Sequence, residues 1–208
     1  PEWTRLTTNW RELIEDETID LIVELVGVGV DGKPTVAYEM AKATIEAGKH
    51  FVTANKALIA TYGAELHDLA EENKVLLLYE ASAAAGTPVI STLQTTLSPN
   101  RITSVHGILN GTSNYILTRM DEEEDLTMDH AIGEAQRLGY AEPDPTSDVR
   151  GDDAAYKIVI LGSLAFGQRI SIDEVQKEGI TSLSRIDFDV AREQGWTLKP
   201  IASAIRRM

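Results

Sequence analysis

The chain has 208 residues, 43% hydrophobic and 25% charged, with 33 acidic against 19 basic side chains and a formal net charge of −14. Those figures suit a globular protein of one large domain or two modest ones, and the acidic surface argues against nucleic acid or an anionic membrane as a partner. Cysteine is absent, which excludes disulfides, thiolate nucleophiles and cysteine-type zinc sites.

In chain order, the β-rich run Asp20–Val26 reads as a strand ending at glycine. Pro34 then opens a helical stripe that continues to Gly48. His50–Thr53 reads as a second strand, Asn55–Leu58 as the opening of a helical segment, Ala64–Asn73 as a polar helix and Val75–Tyr79 as a third strand. This alternation predicts an α/β fold with a parallel sheet. After Gly86 strands thin out. Pro88–Leu97 looks helical and Ile102–Leu109 extended, while Ser113–Met120 and Met128–Leu138 look helical. Ser171 with Glu174 forms a capping box for a short helix, and Asp187–Gln194 makes another. The change of character places a domain boundary near residues 80–86. No apolar run nears the roughly 20 residues of a membrane span. The first five residues are no signal peptide, so a cytoplasmic protein is expected.

Residues 139–157 carry the densest chemistry: a rigid acidic loop with Glu142, Asp144 and Asp148 leads into an apolar helix bearing Asp153 and Lys157. The last two are four apart, so they share one helix face in the favourable acid-first order. A surface ion pair has the same spacing. The apolar run Ile158–Leu161 favours burial, which would make the lysine a usable proton donor. Asp144, Asp148, Asp152 and Asp153 also allow a magnesium site. His50, His67, His106 and His130 show no ligand spacing, which argues against a transition metal.

Four other stretches stand at element ends. Gly27-Val28-Gly29-Val30-Asp31-Gly32 spells a dinucleotide-binding turn, yet the helix starts only after the third glycine and no ribose-binding acid follows. A plain glycine-rich turn is the favoured reading. Thr53-Ala54-Asn55-Lys56 lies past a strand's carboxyl end, where Lys56 could meet a phosphate or merely open a helix. The run from Glu80 to Pro88 offers small side chains and one carboxylate, fit for a hard cation or simply for close packing. Asn110-Gly111-Thr112-Ser113-Asn114 could orient a polar substrate, or be a turn capped by Thr112 or Ser113.

Taken in order, Val52–Leu58, Glu80-Ala81-Ser82, Gly107–Thr118 and Leu138–Lys157 closely resemble homoserine dehydrogenase. The resemblance implies the latter part of a Rossmann-type nucleotide-binding domain over residues 1–82. An α+β catalytic and dimerisation domain is implied over residues 83–208. The implied reaction interconverts L-homoserine and L-aspartate 4-semialdehyde with NAD(P), on the route to threonine and methionine, in a homodimer or larger homo-oligomer. By the resemblance Lys157 is the general acid/base and Asp153 its partner and a substrate contact. Glu142 binds the substrate amino group, supported by Asp148. Lys56 and Gly139 match cofactor contacts, and Glu80, Ala83, Ala85 and Thr87 match a sodium site. Ala84-Ala85 stands where glycine is common in the family. The family's opening strand and glycine fingerprint are expected before Pro1, and further strands after Met208, which makes Gly27–Gly32 a different turn and the chain an internal fragment. A folded dimerisation module without turnover is the competing function, and magnesium chemistry on phosphates a third.

Overall fold

A computed structural model describes residues 4–27, 29 and 32–207; Val28, Val30 and Asp31 of the glycine-rich run lie outside them. The chain divides into two compact units, Pro1–Pro99 and Asn100–Met208.

In the first unit the short helix α1 (Arg11–Glu15) precedes β1 (Leu21–Glu24). Ile22 and Glu24 are buried whereas Leu21 and Val23 are exposed, the period-two alternation of a strand with one buried face. Helix α2 (Thr35–Glu46) leads to β2 (His50–Thr53), and α3 (Lys56–Asn73) to the short β3 (Leu77–Leu78). The sheet is parallel in the order β1-β2-β3, with Leu21 opposite His50, Glu24 opposite Thr53 and Phe51 opposite Leu77. This is the expected α/β arrangement. The β3 pairing stops at Leu78, so the third strand is shorter than Val75–Tyr79. The two helical stretches expected after Asn55 are one continuous helix. Its buried stripe of Leu58, Ile59, Gly63, Leu66 and Ala70 recurs every three or four residues. Helices α2 and α3 pack together, with the Tyr38 and Tyr62 rings 4.2 Å apart between centroids. A 3-10 turn (Glu80–Ser82) and α4 (Val89–Gln94) complete the unit.

The second unit pairs β4 (Ser104–Gly107) antiparallel with β5 (Ala202–Ile205), Ser104 opposite Ile205. Its helices are α5 (Gly111–Glu122), α6 (Met128–Arg137), α7 (Thr146–Val149), α8 (Asp152–Phe166) and α9 (Arg185–Glu193). Ile116, Leu117, Met120, Val149, Ile180 and Phe188 anchor its core. Helix α8 packs on both strands. Gly162 permits the approach, since a Cβ there would sit 3.1 Å from both Ala204 Cβ and Ile170 Cδ1. The expected capping box at Ser171 and Glu174 is present and closes a 3-10 turn, Ile172–Glu174. Among the described residues no helix is long and apolar enough to cross a membrane.

Candidate active site

Lys157 lies on the second turn of α8, and its side chain is 19% exposed. Its Nζ donates to Asp153 Oδ2 at 2.7 Å and to the carbonyl of Leu109 at 2.9 Å. An ammonium has three donors, so one remains for an incoming oxygen. Asp153 is buried in turn, and its Oδ2 also accepts from Asn110 Nδ2 at 2.9 Å. The second hydrogen of the same amide goes to Asp148 Oδ1 at 2.6 Å. Asn110, Asp148, Asp153 and Lys157 thus form one connected group.

Local structure explains the convergence. Asn110 is extended (φ −127°, ψ 117°) between β4 and α5, and its Oδ1 caps α5 by accepting from Ser113 N at 2.7 Å. The cap is Asn110 rather than Thr112 or Ser113, because those hydroxyls serve other partners. Thr112 Oγ1 donates to the Tyr140 carbonyl at 2.7 Å, and Ser113 Oγ to the Asp148 carbonyl at 2.8 Å. The helix therefore begins at Gly111, two residues before the expected Ser113. Between α7 and α8 the chain turns at Gly151 (φ +81°), a left-handed conformation that glycine adopts without strain. That turn sets Asp148 and Asp153 on consecutive helices, both within reach of the Asn110 amide. A strap from residues 175–180 closes over the turn, with Ile180 N donating to the Val149 carbonyl at 2.8 Å.

The loop before α7 starts at Gly139 (φ +76°), exposed at the end of α6, where Tyr140 N donates back to the Ala135 carbonyl at 2.8 Å. Glu142 is exposed. Gln136 Nε2 holds its backbone carbonyl at 3.2 Å, while its carboxylate makes no hydrogen bond or ion pair among the described residues. The structure does not bring it into contact with Lys157. Asp144 accepts from both the hydroxyl and the N–H of Thr146, which hold its carboxyl below the usual range. Asp152 pairs with Lys177. Of the four acids weighed for magnesium, Asp144 and Asp152 are thus committed apart from the Asp148–Asp153 pair, and among the described residues no three His, Asp or Glu side chains group as metal ligands.

A cavity of about 470 Å³ lies in the same unit, lined by Asn110, Asp148, Ala154, Ile158, Lys199 and Pro200 among others. Asp153 and Lys157 do not line it. Asn110 and Asp148 belong both to its lining and to the connected group.

In the first unit the carboxyl ends of β1 and β2 are tied together by a group that sequence reasoning missed. Glu24, fully buried, accepts from Thr53 Oγ1 and Val26 N. Thr53 Oγ1 accepts from Asn55 N at 2.9 Å, and Asn55 Nδ2 donates to the Val26 carbonyl at 3.1 Å. The available signal was an acid on the inward side of a strand, two residues after Ile22. Asn55 Oδ1 also caps α3 at Leu58 N (3.0 Å), placing Lys56 in the first turn. Farther along, both oxygens of Glu80 cap α4, accepting from Ile90 N at 3.0 Å and Ser91 N at 2.8 Å. Ala83 is buried, Ala85 and Thr87 are exposed, and the Ala84 carbonyl accepts from Thr87 N at 2.9 Å. Ala84 has φ +59°, a left-handed conformation that glycine adopts without strain.

Two family models match the chain: the homoserine dehydrogenase, NAD binding domain over residues 2–80, and homoserine dehydrogenase over residues 88–208. A homoserine dehydrogenase of Corynebacterium glutamicum is 45% identical over 197 residues, 95% of this chain and 43% of the relative, so the chain spans under half that relative's length. A solved homoserine dehydrogenase from Thiobacillus denitrificans superposes with a TM-score of 0.90 at 42% identity, over 97% of this chain and 46% of that one. A hyperthermophilic archaeal homoserine dehydrogenase, solved in complex with NADPH, gives 0.80 at 30% identity over 97% of this chain and 57% of that one. With both models in sequence order and the second alone spanning most of the chain, the chain belongs to the homoserine dehydrogenase family.

Proposed function

We propose that the protein is an NAD(P)-dependent oxidoreductase that interconverts L-homoserine and L-aspartate 4-semialdehyde, with Lys157 as general acid/base. The observation that carries this reading is the half-buried ammonium of Lys157, fixed by Asp153 and the Leu109 carbonyl with one donor left over. When the aldehyde is reduced, negative charge develops on its oxygen and the remaining N–H of Lys157 donates there. When the alcohol is oxidised, the neutral amine accepts the hydroxyl proton. Asp153 holds the amine in place and stabilises its charged form. Glu142, whose carboxylate is uncommitted among the described residues, suits a substrate ammonium, with Asp148 in support. A nicotinamide nucleotide, when bound, supplies or accepts the hydride.

The residues present fit such a nucleotide in part. Lys56 and the amino end of the 18-residue helix α3 stand past the carboxyl edge of the parallel sheet, where anions are favoured. Gly139, exposed and without a side chain, permits close approach. We place the working division between nucleotide binding and catalysis at residues 82 and 83. Sodium fits less well, because Glu80 spends both oxygens on capping and Ala84 turns its carbonyl to Thr87 N. No step is assigned to a cation. The whole protein is proposed to be a cytoplasmic homodimer or larger homo-oligomer serving threonine and methionine formation.

The test is reduction of NADP⁺ or NAD⁺ by L-homoserine, followed at the reduced nicotinamide absorbance. Lys157→Ala should lower kcat by about 100-fold or more, the usual range for losing a positioned acid/base group. Turnover that survives the substitution overturns the assignment of Lys157. A chain that folds but neither binds nucleotide nor turns over is a folded module without activity of its own.

A further inference from the structure

We propose that Asn110 is the positioning residue of this site: its single buried amide clamps the carboxylates of Asp148 and Asp153 together and thereby fixes the partner of Lys157. The amide is 5% exposed and fully used. Its oxygen accepts from Ser113 N at 2.7 Å, and its two hydrogens go to Asp148 at 2.6 Å and Asp153 at 2.9 Å. This pattern fixes the orientation of the amide. Rotated by half a turn, its oxygen would face two carboxylates and its NH₂ a backbone N–H.

The arrangement meets a specific electrostatic demand. Two carboxylates gathered at one place repel, and one of them ordinarily takes up a proton. A neutral group that donates to both favours the charged form of each without adding a competing cation. Lysine or arginine in this position would neutralise the pair and draw Asp153 away from Lys157. An asparagine N-cap needs no side-chain N–H, so capping alone does not explain where the two hydrogens go. Asp153 is left with Oδ2 shared between Asn110 and Lys157, on the line that connects the α5 cap to the ammonium. Asp152 and Lys177 satisfy each other, and Glu178 and Lys199 line the cavity that Asn110 and Asp148 border.

The link from this clamp to turnover rests on Lys157 as the acid/base, whereas the clamp itself does not. The experiment therefore has two readouts on the full chain. Two variants separate capping from clamping. Asn110→Ser keeps an N-cap oxygen but retains one donor, and Asn110→Asp keeps the cap but replaces both donors with a charge. In protein labelled with ¹³C at the aspartate carboxyls, the titration midpoints of Asp148 and Asp153 should rise in the order wild type, Ser, Asp. The Asp variant should move by about one pH unit or more, tenfold in proton affinity. In kinetics, Asn110→Ser should lower kcat about tenfold with little change in KM, and shift the acid limb of the profile upward. If the Asp variant fails to fold, the Ser variant decides. Midpoints unchanged in every folded variant overturn the clamp and leave Asn110 a cap. Shifted midpoints without turnover in the wild type support the clamp and remove the enzymatic reading instead.

Discussion

Asp153 illustrates how a charged side chain becomes tolerable inside a small core. Its carboxyl is nearly inaccessible, and the Lys157 ammonium and the Asn110 amide both donate to it. Replacing one member of a buried pair leaves the other uncompensated, which costs about 3–5 kcal/mol when burial is complete. Lys157 retains some access to solvent, so Asp153→Asn should destabilise by about 3 kcal/mol, the low end of that range, as read from the urea midpoint. A loss below about 0.5 kcal/mol would match an exposed pair instead. A different residue-scale effect belongs to Ala84. Its φ of +59° forces a Cβ into the left-handed region, where non-glycine residues lose about 1–2 kcal/mol. Glycine gives back part of that gain through its freer unfolded chain. Ala84→Gly should therefore stabilise by about 0.5–1 kcal/mol, and a destabilised variant would refute the strain.

At the scale of elements, the hinge between α7 and α8 is held by backbone against backbone. Gly179 passes so close to Val149 that a Cβ would stand 2.6 Å from the Val149 carbonyl oxygen and 3.0 Å from Arg150 Cα. Neither atom belongs to a flexible side chain, so the strap must lift. Gly179→Ala should then weaken the bond from Ile180 N to Val149 O and cost about 2–3 kcal/mol. Hydrogen exchange at the Ile180 amide should rise with it; a protected amide and an unchanged urea midpoint would show that the strap accommodates a methyl group. This hinge was invisible in the sequence, since a lone glycine in an irregular segment announces no partner. Elements with local causes were legible: β2 is a β-rich run set between Gly48 and Asn55, and the Ser171–Glu174 box closes within four residues. β5 was not, because Ala-Ser-Ala-Ile has little strand character and becomes a strand only against β4. The site divided the same way. Asp153 and Lys157 share a helix turn and could be paired by spacing, whereas Asn110 reaches acids 38 and 43 positions later. Only the packed helices bring that amide to both.

For the whole molecule, an excess of acids and one partly desolvated histidine set separate limits on stability at low pH. His67 of α3 has its Nε2 2.8 Å from the hydroxyl of Tyr79, whose own pKa burial pushes up to about 12. Although His67 keeps a solvent-exposed edge, partial desolvation of its ring lowers its pKa from the ordinary 6.5, against an opposing pull from Asp68. A lowered folded value means that the unfolded chain takes up the proton first. The stability contributed by neutral His67 is therefore complete above pH 6.5 and is lost as pH falls from there through the folded value. Four carboxylates act in a lower window. The Thr18 hydroxyl lowers Asp16, the Thr146 hydroxyl lowers Asp144, the Ser184 N–H lowers Asp187 and the Tyr115 hydroxyl lowers Glu134. Their contribution is present above the ordinary carboxylate values of 3.8 and 4.5 and disappears as pH falls through the depressed ones. Urea midpoints measured from pH 8 to pH 3 should thus decline in two stages. His67→Gln, which keeps a hydrogen-bonding group for Tyr79 but cannot titrate, should flatten the upper stage and leave the lower one intact. If the slope just below pH 6.5 persists in that variant, the upper stage belongs to another group and desolvation of His67 does not govern it.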